Sequence, residues 1–479
     1  MLKIKKLASL LILASMLAGM TACGGTAEPA DTTAADTTEA QTTAAPEVIY
    51  DLEGYTLNFA KVAQKNLAWV LVDLAVAEEN GDVLNDVMYK RNQTMQEKHN
   101  FVITETEIDS AGTTFTTIRN MVNAGDDTYQ VLFNTLNSFG GSLAEGVFID
   151  ATTIDTLDLS KDCWNDNLVS SLSIGDAAYL IGGDITVADE DAVEIIVFNT
   201  TMARDLNLAP LYDTVREGKW TVDKMLDYCK VAARDLDGNT IIDDKDSVGV
   251  LANADGITAM LVSCGAQAIT KNKDGYPEIT AGESRYADAL EKILKIYGDK
   301  TLFKQYGNID AAGQVSRLEQ GQNLFVNAVT SFARRFLRDV KTDFGFLPTP
   351  KYDEKQAEYI SAVCNSSCGL AIPATCGDLE KTGLILQILA EASADLTYTY
   401  SEVCLQSKYT RDEESYEMLE ISTENLVYDI GYIYNSMLGG LHGSIVNSIH
   451  NFTEVNLAST VDSMKASVEE KIATLYGDK

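Results

Sequence analysis

The segment from residue 55 to residue 134 decides the fold class, because stretches typical of strands and helices alternate along it. Three stretches predict strands: Tyr55-Thr-Leu-Asn-Phe-Ala60, Phe101-Val-Ile-Thr-Glu-Thr106 and Tyr129-Gln-Val-Leu-Phe-Asn134. Between them, residues 84–99, with Asp82 available as a cap, and residues 115–123 have the spacing of helices. This alternation predicts a parallel sheet that is covered by helices.

Ligands of such sheets lie beyond the carboxyl ends of the strands. This rule points to the connection after the first predicted strand, around Trp69, and to the end of the third strand, around Asn134 and Thr135. Trp69 is equally compatible with stacking on a sugar ring and with packing in the core. Trp164 presents the same two alternatives.

The chain beyond residue 170 predicts a second α/β unit. Residues 177–181 predict a strand that leads, through the apolar run 193–198, across to that unit. Residues 343–351 predict a strand that ends in a proline-stiffened connection, which is a natural second hinge. Further helical segments are expected at 220–228 with Thr221 as cap, at 285–297, at 379–393 and through most of 398–475.

The N-terminus has the pattern of an export signal. Three lysines within the first six residues precede an apolar run over 7–20 that ends in small residues. Met20-Thr-Ala-Cys23 resembles a bacterial lipobox, in which the cysteine is diacylated and begins the mature chain. We expect a signal peptide at 1–22 and a lipidated Cys23, with a disordered Thr/Ala/acidic tether to residue 47. The alternative is an ordinary signal peptide with an incidental cysteine.

Length and charge narrow the function. The mature chain is longer than one hydrophobic core usually organises, so we expect two lobes. The 37 basic and 71 acidic residues give a formal net charge of -34, which disfavours nucleic acid as a partner. No second apolar run approaches the ~20 residues of a membrane helix, so we expect the lipid to be the only anchor.

Seven further cysteines need an explanation: Cys163, Cys229, Cys264, Cys364, Cys368, Cys376 and Cys404. An odd number leaves at least one thiol free unless two chains pair. Their spacing lacks the paired CxxC pattern and the neighbouring histidines of a zinc site. We expect buried, small apolar side chains, either all free or with one disulfide.

The loop Asp235-Leu-Asp-Gly-Asn-Thr-Ile-Ile-Asp-Asp-Lys-Asp246 has the pattern of a calcium loop. Its candidate ligands are Asp235, Asp237, Asn239, the carbonyl of Ile241, Asp243 and Asp246. Thr240 replaces the usual glycine, and Asp246 replaces the usual bidentate glutamate. We expect a structural Ca2+ here; the alternative is an acidic turn without metal.

Catalytic patterns are scarce in the sequence. The three histidines lie near no plausible nucleophile pattern, and no GxSxG, HExxH or P-loop sequence occurs. Carboxylate pairs carry little weight, because 71 acidic residues always offer some. We therefore expect a protein that is not an enzyme and has no catalytic cofactor.

Short motifs in a consistent order resemble the extracellular solute-binding proteins of ABC importers, specifically the carbohydrate-type family 1. They are Leu84-Asn-Asp86, Arg91-Asn92, Phe198-Asn-Thr200, Glu217-Gly-Lys-Trp-Thr221, the loop at Asp235, Phe344-Gly-Phe-Leu-Pro348, Pro350-Lys-Tyr-Asp353, Ile372-Pro373, Lys408-Tyr409, Arg411-Asp412 and Ser415-Tyr-Glu-Met418.

The resemblance implies an α/β, two-lobed periplasmic-binding-protein-like fold of type II. Each lobe would be a mixed sheet flanked by helices, and hinge strands would join the lobes. We expect lobe 1 at 48–188 plus 351–395 and lobe 2 at 189–350 plus 396–479. Where the family places cleft contacts, the chain has Trp69, Asn134, Asp184, Thr330 and Ser331, and Trp164 completes the candidate set.

The implied function is capture of a sugar or oligosaccharide between the lobes and delivery to ABC permease subunits. We expect the protein on the extracellular face of the cell membrane, attached through its lipid alone. Two alternatives stay open: a secreted carbohydrate-active enzyme, and a surface binding or adhesion protein without a role in transport.

Overall fold

Two mixed β-sheets organise the protein, as the computed structural model shows. It describes residues 48–475, apart from residues 68, 142 and 308, so the expected signal peptide, Cys23 and tether lie outside the described residues. The described strands are β1 (Tyr55–Val62), β2 (Phe101–Ile108), β3 (Val131–Thr135), β4 (Glu194–Asn199), β5 (Val248–Ala252), β6 (Ile269–Lys271), β7 (Pro277–Ile279), β8 (Phe303–Gln305), β9 (Asn323–Val329), β10 (Phe344–Leu347), β11 (Ser361–Ala362), β12 (Cys368–Ala371) and β13 (Leu426–Val427).

Helices cover both sheets. The described α-helices are α1 (Val83–His99), α2 (Ala111–Ala124), α3 (Leu136–Phe139), α4 (Asp166–Leu172), α5 (Thr200–Asp205), α6 (Leu211–Arg216), α7 (Val222–Ala232), α8 (Ala254–Ser263), α9 (Ser284–Tyr297), α10 (Ala311–Glu319), α11 (Thr330–Phe336), α12 (Leu379–Glu391), α13 (Ala394–Tyr398), α14 (Glu413–Glu424), α15 (Ile430–Ile433), α16 (Leu441–His450) and α17 (Leu457–Thr474). A π-helix spans Thr399–Tyr409, and short 3-10 turns lie at Gln64–Asn66, Leu143–Glu145, Ala151–Thr153 and Glu190–Ala192.

The first sheet has the order β12-β3-β1-β2. Strand β1 runs parallel to β2 and β3, as the alternation of strands and helices predicts. Strand β12 comes from much later in the chain and pairs antiparallel with β3, so the sheet is mixed. The predicted caps also form, because the Asp82 carboxylate accepts from the Leu84 amide at 3.0 Å and the Thr221 hydroxyl from the Lys224 amide.

The second sheet has the order β10-β4-β9-β5-β8. Strand β5 runs parallel to β8 and β9, whereas β4 runs antiparallel to β9 and β10. Every residue of β4, β5 and β9 is buried, as expected for central strands covered on both faces. The mixed α/β architecture predicted from the sequence is therefore confirmed.

Three chain passes lie side by side between the two sheets. Val193, which directly precedes β4, pairs with Val363, and the Cys364 amide donates to the Ala192 carbonyl at 2.9 Å. Strand β11 pairs in parallel with β13. The hinge expected at residues 343–351 and the exact lobe bounds stay predictions.

Three smaller expectations have clear outcomes. Residues 177–181 form no strand; Ala177 and Ile181 make only isolated bridges, to Ile174 and to Leu370 on the free edge of β12, so no continuous ladder forms. All seven cysteines of the described residues are free thiols, and all but Cys163 are buried. Within the same residues, no helix combines the length and the apolar character needed to cross a membrane.

Candidate binding site

The carboxyl ends of the parallel strands of the second sheet meet at one edge. Strands β5, β8 and β9 end there, and Glu194 at the start of antiparallel β4 pairs with Val329 at the end of β9. A cavity of about 200 Å3 lies at this edge. Ligands of α/β sheets bind at such edges, so the topology marks the cavity as the candidate site.

The cavity has an aromatic wall, to which segments that follow strands of both sheets contribute. Trp69 belongs to the connection after β1, whereas Phe332 lies in α11 and Tyr306 follows β8. The ring of Trp69 stacks on Phe332 at a centroid distance of 5.9 Å and an interplanar angle of 17°, and it lies 5.0 Å from Phe336. Such rings offer flat apolar faces to a ligand.

Polar side chains complete the lining. Asn253 caps α8 and Asp255 lies in its first turn, so both follow directly from the end of β5. The remaining polar or sulfur-containing lining residues are Glu194, Gln314, Cys364 and Ser366. A mostly apolar cavity with a few fixed polar groups is the usual composition of a small-molecule site.

Trp69 is held in place by contacts to the second sheet. The Ser331 hydroxyl donates to the Trp69 carbonyl, and the Leu71 amide donates to the buried carboxylate of Asp191 at 2.9 Å. Asp191 in turn forms an ion pair with Arg334 and accepts from the Tyr400 hydroxyl at 2.8 Å. The aromatic wall is therefore anchored through a buried, charge-assisted network.

Two carboxyl groups give the cavity its electrostatic character. Glu194 is only 3% exposed, and burial, reinforced by nearby Asp255, raises its pKa well above the ordinary value. Asp255 accepts from the Tyr432 hydroxyl at 2.6 Å and from Asn253 Nδ2 at 2.8 Å. Burial raises the pKa of Asp255 as well, and these two hydrogen bonds oppose that effect.

The candidate residues predicted from the sequence lie in three kinds of place. Trp69 lines the cavity. Thr330 and Ser331 are buried at the start of α11, where their hydroxyls donate to the Glu190 and Trp69 carbonyls. Thr330 and Ser331 therefore support the cavity wall without lining the cavity themselves.

Three other candidates are not among the lining residues. Asn134 is fully buried and donates to the Ala111 carbonyl at 2.9 Å, and buried Trp164 donates through Nε1 to Gln387 at 3.0 Å. Asp184 is half-buried, and its amide donates to the Cys163 carbonyl. Contact of these three with a ligand stays a prediction.

Sequence reasoning missed the polar half of the site, namely Glu194, Asn253, Asp255 and Gln314. The strand-end rule points to Asn253 just beyond the apolar run 248–252. For 193–198 it points to the wrong end, because Glu194 lies at the amino end of that run. Strand β4 runs antiparallel to β9, so Glu194 at its start lies at the same edge of the sheet as the carboxyl ends of β5, β8 and β9. This strand direction is not visible in the sequence.

The acidic loop after α7 brings three of its six candidate ligands together. Carboxylate oxygens of Asp235, Asp237 and Asp246 lie within 4.8 Å of one another. Thr240, at the usual glycine position, adopts a left-handed conformation with φ of 71°. The loop thus keeps the turn despite the substitution, and calcium in it stays a prediction.

Comparison with known proteins identifies the fold class. No protein-family model matches the sequence, and no curated protein matches it either. Solved structures do match over nearly the whole chain, and they show that this protein has the fold of the solute-binding proteins of ABC transporters. At identities of 10–14%, the likeness concerns the fold.

Three matches illustrate the class. The galacto-N-biose-/lacto-N-biose I-binding protein from Bifidobacterium longum, in complex with lacto-N-biose, has a TM-score of 0.60 and 10% identity, with 89% of this chain and 98% of that chain covered. A cyclo/maltodextrin-binding protein with maltotetraose has a TM-score of 0.58, 14% identity and coverage of 89% and 99%. An ABC substrate-binding protein from Listeria monocytogenes with cycloalternan has a TM-score of 0.57, 10% identity and coverage of 88% and 99%.

Proposed function

We propose that the protein is a solute-binding protein that captures a sugar or oligosaccharide in the cavity at the edge of the second sheet. The observation that carries the proposal is the cavity itself: the Trp69 and Phe332 wall faces fixed polar groups at the carboxyl ends of β5, β8 and β9. Sugars present apolar faces to aromatic rings and hydroxyls to carboxylates and amides. The fold is shared with proteins whose solved complexes contain oligosaccharides.

The size of the cavity favours a single sugar ring or the end unit of a longer chain. Its volume of about 200 Å3 lies below the ~300–1,000 Å3 of sites that bury larger ligands. Binding would act by population shift, because a ligand that touches Trp69 and the second sheet together stabilises the conformation in which both contacts exist.

Delivery and anchoring complete the proposal. The protein would be attached to the extracellular face of the membrane through acylated Cys23 and would hand its solute to ABC permease subunits. A tethered protein has a high effective concentration for its membrane partner. The lipobox-like sequence before Cys23 supports the anchor, and the shared fold supports the transport partner.

A thermal-shift series tests the binding function. We expect the melting temperature to rise with one class of mono- or oligosaccharide, because a ligand that binds only the native state stabilises it by mass action. Peptides and neutral metabolites of similar size serve as controls. If none of a broad set of sugars changed the melting temperature, the carbohydrate assignment would be wrong.

The main alternative is a carbohydrate-active enzyme, and one observation favours it. Glu194 and Asp255 are two carboxyl groups in one cavity, and a pair of carboxyl groups is what a glycoside hydrolase uses for catalysis. A sugar that raises the melting temperature is therefore also incubated with the protein and analysed for product. Recovery of the unchanged sugar supports binding without catalysis, whereas turnover that Glu194→Gln abolishes supports the enzyme.

A further inference from the structure

The cavity that the proposed function assigns to a sugar is lined, among the described residues, by two carboxyl groups and by no basic side chain. Glu194 and Asp255 both line it, and Asp255 raises the electrostatic cost of ionising Glu194. Among the described lining residues there is no lysine, arginine or histidine. Buried carboxylates are normally paired or bound to a cation, so this arrangement calls for a partner.

The hydrogen bonds in the structure indicate that, of the two carboxyl groups, Glu194 is the one that needs a charged partner. Asp255 accepts from Tyr432 and Asn253, which are both neutral. Glu194 is 3% exposed and has the Cys364 thiol as its hydrogen-bonding neighbour. A thiol is a weak donor and carries no charge that could balance a carboxylate.

We propose that the solute carries a protonated amino group, as an amino sugar does, and that Glu194 and Asp255 bind this group while its ring packs against Trp69. The inference rests on the proposed function, because it assumes that the cavity is the solute site. An ammonium group donates three hydrogen bonds and supplies the missing positive charge. A neutral sugar hydroxyl supplies a hydrogen bond but leaves the two carboxyl groups opposed.

The aromatic wall is consistent with the same ligand. A cation within about 6 Å of the face of a tryptophan is attracted by the ring, most strongly where water is excluded. Trp69, Phe332 and Tyr306 all line the cavity. The net charge of -34 adds a long-range attraction that favours approach of cationic solutes over anionic ones.

Binding of an amine should be coupled to protons. The titratable groups that face Glu194 are Asp255 on α8, Cys364 before β12, Tyr306 after β8, Tyr297 on α9 and Tyr432 on α15, and His450 on α16 acts on Asp255. Burial and the nearby Asp255 raise the pKa of Glu194, which favours its protonated form in the free protein. Because an ammonium favours the ionised carboxylate, its binding releases a proton, and its affinity rises with pH until the free carboxyl is ionised.

The test compares sugars that differ only at one substituent. Glucosamine, N-acetylglucosamine and glucose are titrated by calorimetry, together with the galacto and manno series and with putrescine as an amine that is not a sugar. Concentrations reach about 10 mM, so that even a millimolar ligand is largely bound. We expect the free amino sugar of one series to bind at least tenfold more tightly than its N-acetyl and hydroxyl counterparts. Proton release should make the measured binding enthalpy vary with the ionisation enthalpy of the buffer.

Two matched variants assign the effect to Glu194. Glu194→Gln keeps the shape of the side chain and should weaken binding of the amino sugar about ten- to hundredfold, because a hydrogen bond to a charged group is lost. Glu291→Gln removes the same charge from an exposed position on α9 and should leave the affinity unchanged. Circular dichroism verifies that both variants are folded.

Each outcome separates this inference from the proposed function. Tight binding of a neutral sugar with no preference for the amine would overturn the amine and leave the sugar function intact. Binding of putrescine but of no sugar would support the amine and overturn the sugar. Failure of every amine to bind the unmodified protein would overturn the inference, whatever the behaviour of the variants.

Discussion

Replacement of Asp429 by asparagine should remove much of the pH dependence of the protein's stability. Asp429 is 1% exposed and caps α15, where its Oδ1 accepts from the Gly431 amide at 2.8 Å and from the Tyr432 amide at 3.2 Å. Burial raises the pKa of this carboxyl from 3.8 to about 7, and the two backbone hydrogen bonds oppose the rise. The position also matters for the site, because the Tyr432 hydroxyl holds Asp255.

The sign and size of the effect follow from that pKa. Because the pKa is raised in the folded state, the unfolded chain ionises first as the pH rises above 3.8, and stability is lost until about pH 7. A difference of about three pH units at ~1.36 kcal/mol each gives a loss of ~4 kcal/mol in the free energy of unfolding. About 2–3 kcal/mol of this loss falls between pH 5 and pH 8.

Urea unfolding at pH 5 and at pH 8 measures the effect. Asp429→Asn should be about 2–3 kcal/mol more stable, relative to the unmodified protein, at pH 8 than at pH 5, because the asparagine stays neutral and its oxygen still accepts the amide hydrogen bonds. Other carboxyl groups with a raised pKa, such as that of Glu194, contribute equally to both proteins and cancel. Asp227→Asn on the exposed face of α7 is the matched control.

A pH dependence in Asp429→Asn equal to that of the unmodified protein would refute the reasoning. It would mean that Asp429 is ionised in the folded state at neutral pH and that the two amide hydrogen bonds offset its burial. The same pH dependence should then survive in Asp227→Asn as well, which separates a specific failure from a general change in the unfolded state.

Three further outcomes are expected. Trp69→Leu should weaken sugar binding roughly fivefold in calorimetry, since ring stacking contributes about 1 kcal/mol, and an unchanged affinity would make Trp69 a packing residue. Chelation should lower the melting temperature if the loop from Asp235 to Asp246 holds calcium, whereas an unchanged value would favour a metal-free turn. Cys23→Ser should release from membranes a protein that still binds its solute while uptake falls, and retention at the membrane would contradict lipid anchoring.

The first sheet was largely predictable because its signals are local. Apolar alternation and helix caps act within a few residues, so 55–60 and 84–99 predicted β1 and α1 closely. The strand-end rule likewise placed Trp69 in the connection that reaches the cavity. The prediction of a strand at 177–181 was wrong, because whether this segment pairs depends on its neighbours in space and not on its own residues.

The sequence by itself determined the alternation of strands and helices, the strong acidic charge and the aromatic residue beyond β1, because each depends on composition or on short-range pattern. Only the tertiary structure decided the polar half of the site. Glu194 and Asp255 are 61 positions apart, and they meet because β4 runs antiparallel to β9 while β5 runs parallel to it. Strand direction depends on long-range pairing, which no local pattern encodes.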